Sequence, residues 1–166
     1  MRQSIGFTLL ECLITLVLLT CLLSWAAPSF NQLLDSRKVI RFASELVGLT
    51  YLAKSEAIYR NQNLWLHLPN STSSDSWSIS LNTGQESDAE TISLLSGEPY
   101  RTLVIESTYQ DNQIKFYPRR GKVASGNVTF YSSLQPDKKL KLITSYSAGR
   151  VRLCSVTGSS YGYTEC

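Results

Sequence analysis

Twenty-one consecutive residues, Phe7 to Ala27 (FTLLECLITLVLLTCLLSWAA), contain one charged side chain, Glu11. About 20 apolar residues suffice to span a bilayer as a helix, so a run of this kind has to lie in lipid or inside an assembly. Glu11 narrows the choice. A carboxylate within a membrane segment costs about 2.5 to 3.5 kcal/mol on insertion scales, and such residues mark a function. The whole chain, 166 residues and 43% apolar, has room for one globular domain beyond this appendage.

Three readings of the run compete. A cleaved secretory signal has Arg2 as its positive start, but a cut after Ala27 puts Pro28 first in the product, which peptidases tolerate poorly. An ordinary signal anchor has no use for Glu11. In the third reading the cut follows Gly6, Phe7 becomes a free α-amine, and Glu11 lies four residues along the same helix face, where opposite charges attract. In a filament the same carboxylate neutralises the amino terminus of a neighbouring subunit, and burial makes that pairing selective for register.

The string Gly6, Phe7, Thr8, Leu9, Leu10, Glu11 opening an apolar span resembles the prepilin processing motif of type IV pilins and type II secretion pseudopilins. The resemblance implies a prepilin peptidase that cuts between Gly6 and Phe7, methylation of the Phe7 amine, and Glu11 as the assembly residue. It also implies a helix-bending role for Pro28, a chain held once in the bacterial inner membrane with its head in the periplasm, and later incorporation with other major and minor pilins into a pilus or pseudopilus.

From Ser29 to Tyr59, Leu33, Val39, Ile40, Ala43, Leu46, Val47, Ala53, Ala57 and Ile58 recur at helical spacing, with Arg37, Lys38, Arg41, Glu45, Lys54 and Glu56 on a wet side. Phe7 to Tyr59 as one helix measures roughly 80 Å, which Pro28 can bend. Eight short strands follow: 64–68, 77–81, 91–95, 102–106, 113–117, 128–132, 140–144 and 151–154. Gly84, Gly97, Gly121, Gly126 and Gly149 mark turns, and residues 71–76 a mobile loop. The expected fold is α+β, of the type IV pilin kind: a long N-terminal helix packed on a β-rich head of two small antiparallel sheets. Its divisions are a leader (1–6), a membrane or filament-core half-helix (7–28), an amphipathic half-helix (29–60) and the head (61–166). The segment LAKSEAIYRNQN, Leu52 to Asn63, is similar to the helix-ending phrase of the FimT, FimU and GspH group of minor pilins. Residue by residue it also reads as a helix terminus, with Ala57 and Ile58 buried and Arg60 at the negative end of the dipole.

Cys12 and Cys21 are nine residues apart on one helix and too distant to bridge. Cys154 and Cys166 belong to the head, where an oxidising periplasm favours a disulfide. It would close a 13-residue loop, worth about 3 kcal/mol in the chain-entropy model. Two thiols and the lone His67 lack zinc-site spacing. No nucleophile comes with a base, no carboxylate pair stands out, and no phosphate-binding glycine loop precedes a helix. His67 reads as a surface or edge residue. A non-enzyme without metal or cofactor is expected.

The total charge of +3 hides an asymmetry. From Asn70 to Asn112, seven acids (Asp75, Glu86, Asp88, Glu90, Glu98, Glu106, Asp111) face Arg101 alone, a net of −6. From Gln113 to Thr164, nine bases (Lys115, Arg119, Arg120, Lys122, Lys138, Lys139, Lys141, Arg150, Arg152) face Asp137 alone, a net of +8. Such a surface suits nucleic acid, anionic headgroups or an acidic subunit face. In Gly149-Arg150-Val151-Arg152 the two guanidinium groups project to one side of a strand about 7 Å apart, which suits neighbouring phosphates. This GRVR resembles the GRxR motif of DNA-binding FimT minor pilins. The resemblance carries Arg150 and Arg152 over as phosphate contacts in DNA uptake (natural transformation), and charge reasoning adds Arg119, Arg120 and Lys122. The alternatives are a structural minor pilin or GspH-type pseudopilin of type II secretion that primes or caps a filament, and an adhesin using Trp77 and the Tyr161 to Tyr163 region.

Overall fold

The structure, a computed structural model, describes residues 8–70, 76–86, 88–147 and 149–166, with the side chains of 25–29 also outside the description. The processing site at Gly6 and Phe7, the Pro28 side chain and residues 71–75 of the loop expected over 71–76 therefore lie outside the described residues. Helix α1 (Leu9–Arg60) comprises 52 residues. The chain divides into two compact units, Met1–Asp35 and Ser36–Cys166.

In the first unit, Thr8 caps the helix: its Oγ1 accepts the Glu11 N–H at 3.3 Å. Thr8-Leu9-Leu10-Glu11 is thus the Thr-x-x-Glu pattern of a capping box, and Glu11, in the first turn, also faces the positive end of the helix dipole. The described leucines around it are exposed, Leu9 to 85% and Leu22 and Leu23 to 67% each. Polar side chains among them are turned inward on the backbone. The hydroxyls of Thr15, Thr20 and Ser24 donate to the carbonyls of Cys12, Val17 and Thr20 at 2.8–2.9 Å, so none adds an unsatisfied donor in an apolar setting. Among the described residues no helix is long and apolar enough to cross a membrane; the described side chains of this run end at Ser24.

The second unit is built on the other end of α1. Val39, Phe42, Ala43, Leu46, Leu49, Ala53 and Ala57 are all buried, a stripe at three- and four-residue steps that seats the helix on the sheets. One sheet has five strands: β1 (Leu64–His67), β2 (Ser78–Asn82), β3 (Thr91–Ser96), β5 (Gln113–Tyr117) and β6 (Lys122–Val123), in the order β3-β2-β1-β5-β6. The other has four: β4 (Leu103–Ser107), β7 (Gly126–Ser132), β8 (Leu140–Ser145) and β9 (Arg150–Ser155), in the order β4-β7-β8-β9. Every pairing is antiparallel. The fold is α+β, a long N-terminal helix with two antiparallel sheets. Alternation decides the inward residues: Leu64, Leu66, Ile114 and Phe116 from one sheet, Val128, Phe130, Leu140 and Leu142 from the other, all fully buried. Phe42 packs edge-to-face on Trp77, Tyr100 and Phe130 at centroid distances of 5.8, 5.2 and 5.0 Å.

Five expectations change. Lys54 leaves the wet side to hydrogen-bond within the head, and Ile58 is 50% exposed rather than buried. Gly126 begins strand β7 instead of marking a turn. His67 faces outward but stands on β1, the middle strand of its sheet, not an edge. The two-residue strand β6, too short to alternate, was absent from the sequence pattern.

Candidate functional site

Two turns carry the bases that the sequence singles out. Between β5 and β6, Pro118 has φ −64°, Arg120 stands at φ 60°, ψ 21°, and Gly121 at φ 53°. A left-handed arginine costs roughly 1–2 kcal/mol, and the residue that follows it is the glycine that tolerates such a φ. Between β8 and β9, Gly149 has φ 57°, and its N–H donates to the Tyr146 carbonyl at 3.4 Å.

The turns lie against one another. A Cβ on Gly149 would stand 2.7 Å from the Gly121 carbonyl oxygen, a backbone atom with nowhere to go. On its other side, Gly121 rests on the helix: its own Cβ would meet Lys54 Cε at 2.8 Å and Ile58 Cδ1 at 2.9 Å. Lys54 closes the stack by donating from Nζ to the Gly149 carbonyl at 2.8 Å. Arg119, Arg120 and Lys122 are therefore brought beside the turn from which Arg150 emerges, although the segments are about 30 residues apart in the chain.

Arg150 and Arg152 share the outward face of β9, opposite Ser145 and Ile143 of β8. They are not equivalent. Arg152 donates from Nη2 to the Glu165 carbonyl at 3.3 Å, which ties it to a tail fixed by the Cys154–Cys166 disulfide. Backbone bonds between Ser155 and the tail, to Thr164 O at 2.8 Å and from Cys166 N at 2.9 Å, hold the same segment. β9 is an edge strand, and charges on an edge also deter pairing with a foreign strand. That role needs no ligand.

Next to these turns is a groove of about 360 Å³ lined by Tyr117, Arg119, Arg120, Lys122 and Tyr146, with Asn63 and Pro118. Tyr117 and Tyr146 meet edge-to-face at 5.3 Å. The lysines lie over rings: Lys122 Nζ is 4.3 Å from the Tyr146 centroid, and Lys115 Nζ lies 5.1 and 5.2 Å from those of Trp65 and Tyr117. Among the described residues the ion pairs are Arg41–Glu45, Arg60–Glu56 and Arg101–Glu98, so no carboxylate there neutralises Arg119, Arg120, Lys122 or Arg150. Trp77, by contrast, is 6% exposed and part of the core, which removes it from any adhesive surface.

The family model described as type II transport protein GspH matches residues 43–149, well over half of the chain. The chain belongs to the GspH family. A second model, the prokaryotic N-terminal methylation motif, matches residues 1–27 of this GspH-family protein. Two crystal structures of the type IV minor pilin FimU of Pseudomonas aeruginosa are similar to it. One has a TM-score of 0.54 at 18% identity, covering 74% of this chain and 93% of that one. The other has 0.56 at 18% identity, covering 74% and 88%. The minor pseudopilin EpsH of the Vibrio cholerae type 2 secretion system is similar with a TM-score of 0.53 at 13% identity, covering 74% and 98%. These structures share its fold. No curated protein matches it in sequence. The family resemblance and the α+β pilin-like architecture expected from the sequence are both found.

Sequence reasoning missed two parts of the site and, in the first unit, the helix cap. The Lys115–Trp65 and Lys122–Tyr146 contacts and the seating of Gly149 on Gly121 join residues remote in the chain, and no local pattern announces them. The Thr8–Glu11 cap was legible as Thr-x-x-Glu before an apolar run.

Proposed function

We propose that this GspH-family protein is a minor subunit of a type IV pilus whose head binds extracellular DNA through its backbone, without sequence preference, for uptake. One observation carries the reading: Gly149 meets Gly121, so the Arg119–Lys122 turn lies beside the turn that leads into Arg150, with no carboxylate among the described residues ion-paired to these bases, which supports a shared basic surface. Lys and Arg bind phosphates with counterion release and need no base contacts. Affinity of a single subunit is expected at about 10⁻⁴ to 10⁻⁶ M at physiological salt, so capture relies on several subunits.

The remaining roles attach to the N-terminal segment. Prepilin peptidase cuts after Gly6, Phe7 is methylated, and the helix holds the subunit in the inner membrane until other pilins take it into the filament. The methylation-motif match over 1–27 and the exposed leucines of α1 support this. Glu11 then has two tasks, placing its carboxylate at the positive end of its own helix dipole and pairing with an α-amine.

The test is duplex DNA binding by the full chain in nonionic detergent micelles, compared with an Arg150→Gln, Arg152→Gln double variant of unchanged thermal stability. Binding that weakens at least tenfold in the variant supports the reading. Wild-type protein that fails to bind at low salt leaves the second reading, a structural pilin or GspH-type pseudopilin. The fold likeness to FimU and EpsH favours that second reading, and in it the acidic and basic stretches dock neighbouring subunits.

A further inference from the structure

The groove beside the two glycine turns has features that backbone binding does not require. Among the described residues, lysine ammonium groups lie over aromatic rings five times (Lys115 on Trp65 and Tyr117, Lys122 on Tyr146, Lys138 on Tyr161, Lys139 on Tyr131). Three of them line up along the outer side of the five-stranded sheet and into the groove. Trp65 and Lys115 are directly paired across β1 and β5, and Tyr117 is paired with Lys122 across β5 and β6. Tyr146, 43% exposed, reaches the same groove from the β8–β9 turn. Arg120, at φ 60°, turns the chain at the groove's rim.

We propose that this groove takes unpaired bases of single-stranded nucleic acid, with Tyr146 and Tyr117 as the stacking platform and Arg119, Arg120 and Lys122 on the flanking phosphates. In the free protein the lysine ammonium groups occupy the ring faces. An exposed lysine–ring contact is weaker than a base stacked on an aromatic side chain. A base therefore displaces Lys122 from Tyr146, and the freed ammonium turns to the adjacent phosphate. Duplex DNA cannot use the platform, because its bases present their faces to one another; it keeps only the phosphate contacts. A sulfated glycan supplies anions but no π-face. The proposal rests on the DNA-binding reading and specifies the form of nucleic acid that the groove prefers.

The experiment compares oligo(dT), a duplex of equal phosphate count and a sulfated glycan as ligands for the full chain in nonionic micelles. The proteins are wild type, Tyr146→Ala, Tyr146→Phe and the Arg150→Gln, Arg152→Gln variant. The expected result is a five- to one-hundred-fold loss of oligo(dT) affinity in Tyr146→Ala, recovery to within twofold in Tyr146→Phe, and duplex affinity within twofold of wild type in both. Equal losses for oligo(dT) and duplex, no loss for either, or an equal loss for the sulfated glycan overturns it. Duplex binding that persists while the oligo(dT) prediction fails sinks this proposal alone; absence of binding to either nucleic acid sinks it together with the DNA reading.

Discussion

The acidic and basic stretches of the head differ less in composition than in what holds their charges. Glu86, Asp88, Glu90, Glu98, Glu106 and Asp111 are all exposed; Glu98 pairs with Arg101 at 3.7 Å, and Glu106 accepts from the Tyr131 hydroxyl at 3.0 Å. The bases are placed by scaffold instead. Two glycine turns wedged against α1 position Arg119, Arg120 and Arg150, and aromatic rings carry Lys115, Lys122 and Lys139. A charge positioned by backbone and rings has a fixed place, whereas an exposed charge on a mobile side chain does not. The acids lend the head a field; the bases are held in position.

The comparison breaks most readily at its glycines. Gly149→Ala puts a Cβ 2.7 Å from a backbone oxygen at a positive φ, so strain and overpacking together should cost about 2–4 kcal/mol. Gly84→Ala in the acidic stretch comes nearest, among the described residues, to the Ala89 side chain, at 2.9 Å, and should cost about 1 kcal/mol, the low end for overpacking. Urea unfolding of both variants measures the difference; equal losses would mean that the basic turns are no more tightly fitted than the acidic one.

The seam between the stretches is the next largest effect. Tyr109, 8% exposed, shares a 2.7 Å hydrogen bond with Thr144. Burial pushes its phenol up to about 12, with the Thr144 bond acting the other way. A folded pKa above the unfolded value near 10 means that its contribution is complete below pH 10 and is lost as pH rises through about 12. The loss should approach about 2–3 kcal/mol. Tyr109→Phe should remove that share of the alkaline instability, read from denaturation midpoints at pH 9 and pH 11.5. Tyr100, also pushed up to about 12, by burial and by its bond to Glu45, should leave a remainder in the variant.

The smallest effect belongs to the acids themselves. Neutralising Glu86, Asp88 and Glu90 (to Gln, Asn and Gln) should leave the melting temperature within about 2 °C, because exposed charges contribute little to stability. It should raise duplex DNA affinity by about two- to threefold at low salt, a gain that disappears near 0.15 M as screening shortens the field to about 8 Å. A gain that persists at high salt would instead place these acids in contact with the ligand.

Most of the architecture was legible because its signals are local. Helix α1 follows from three- and four-residue spacing of Val39, Ala43, Leu46, Ala53 and Ala57, and the strands from alternation such as Ile114 with Phe116. The disulfide was legible for a different reason: two cysteines in the head leave one pairing. What could not be read was the meeting of Gly121 with Gly149 and the use of Lys54. Both depend on where β5–β6 and β8–β9 land on the helix, and sequence periodicity says nothing about that register. Lys54 looks like one more charge on a wet face until its Nζ is found on the Gly149 carbonyl.

The central claim, that two distant basic turns act as one phosphate-binding surface, is tested most directly by the salt dependence of duplex binding. Each phosphate contact contributes about −0.9 to the slope of log affinity against log salt. Measured on the full chain, replacing Arg119 and Arg120 with Gln should lower the slope's magnitude by about 1–2, and replacing Arg150 and Arg152 by a similar amount. The fourfold variant should lose the sum. A slope unchanged by either pair, in variants with wild-type melting, would contradict the account and leave the basic turns as a docking face for another subunit.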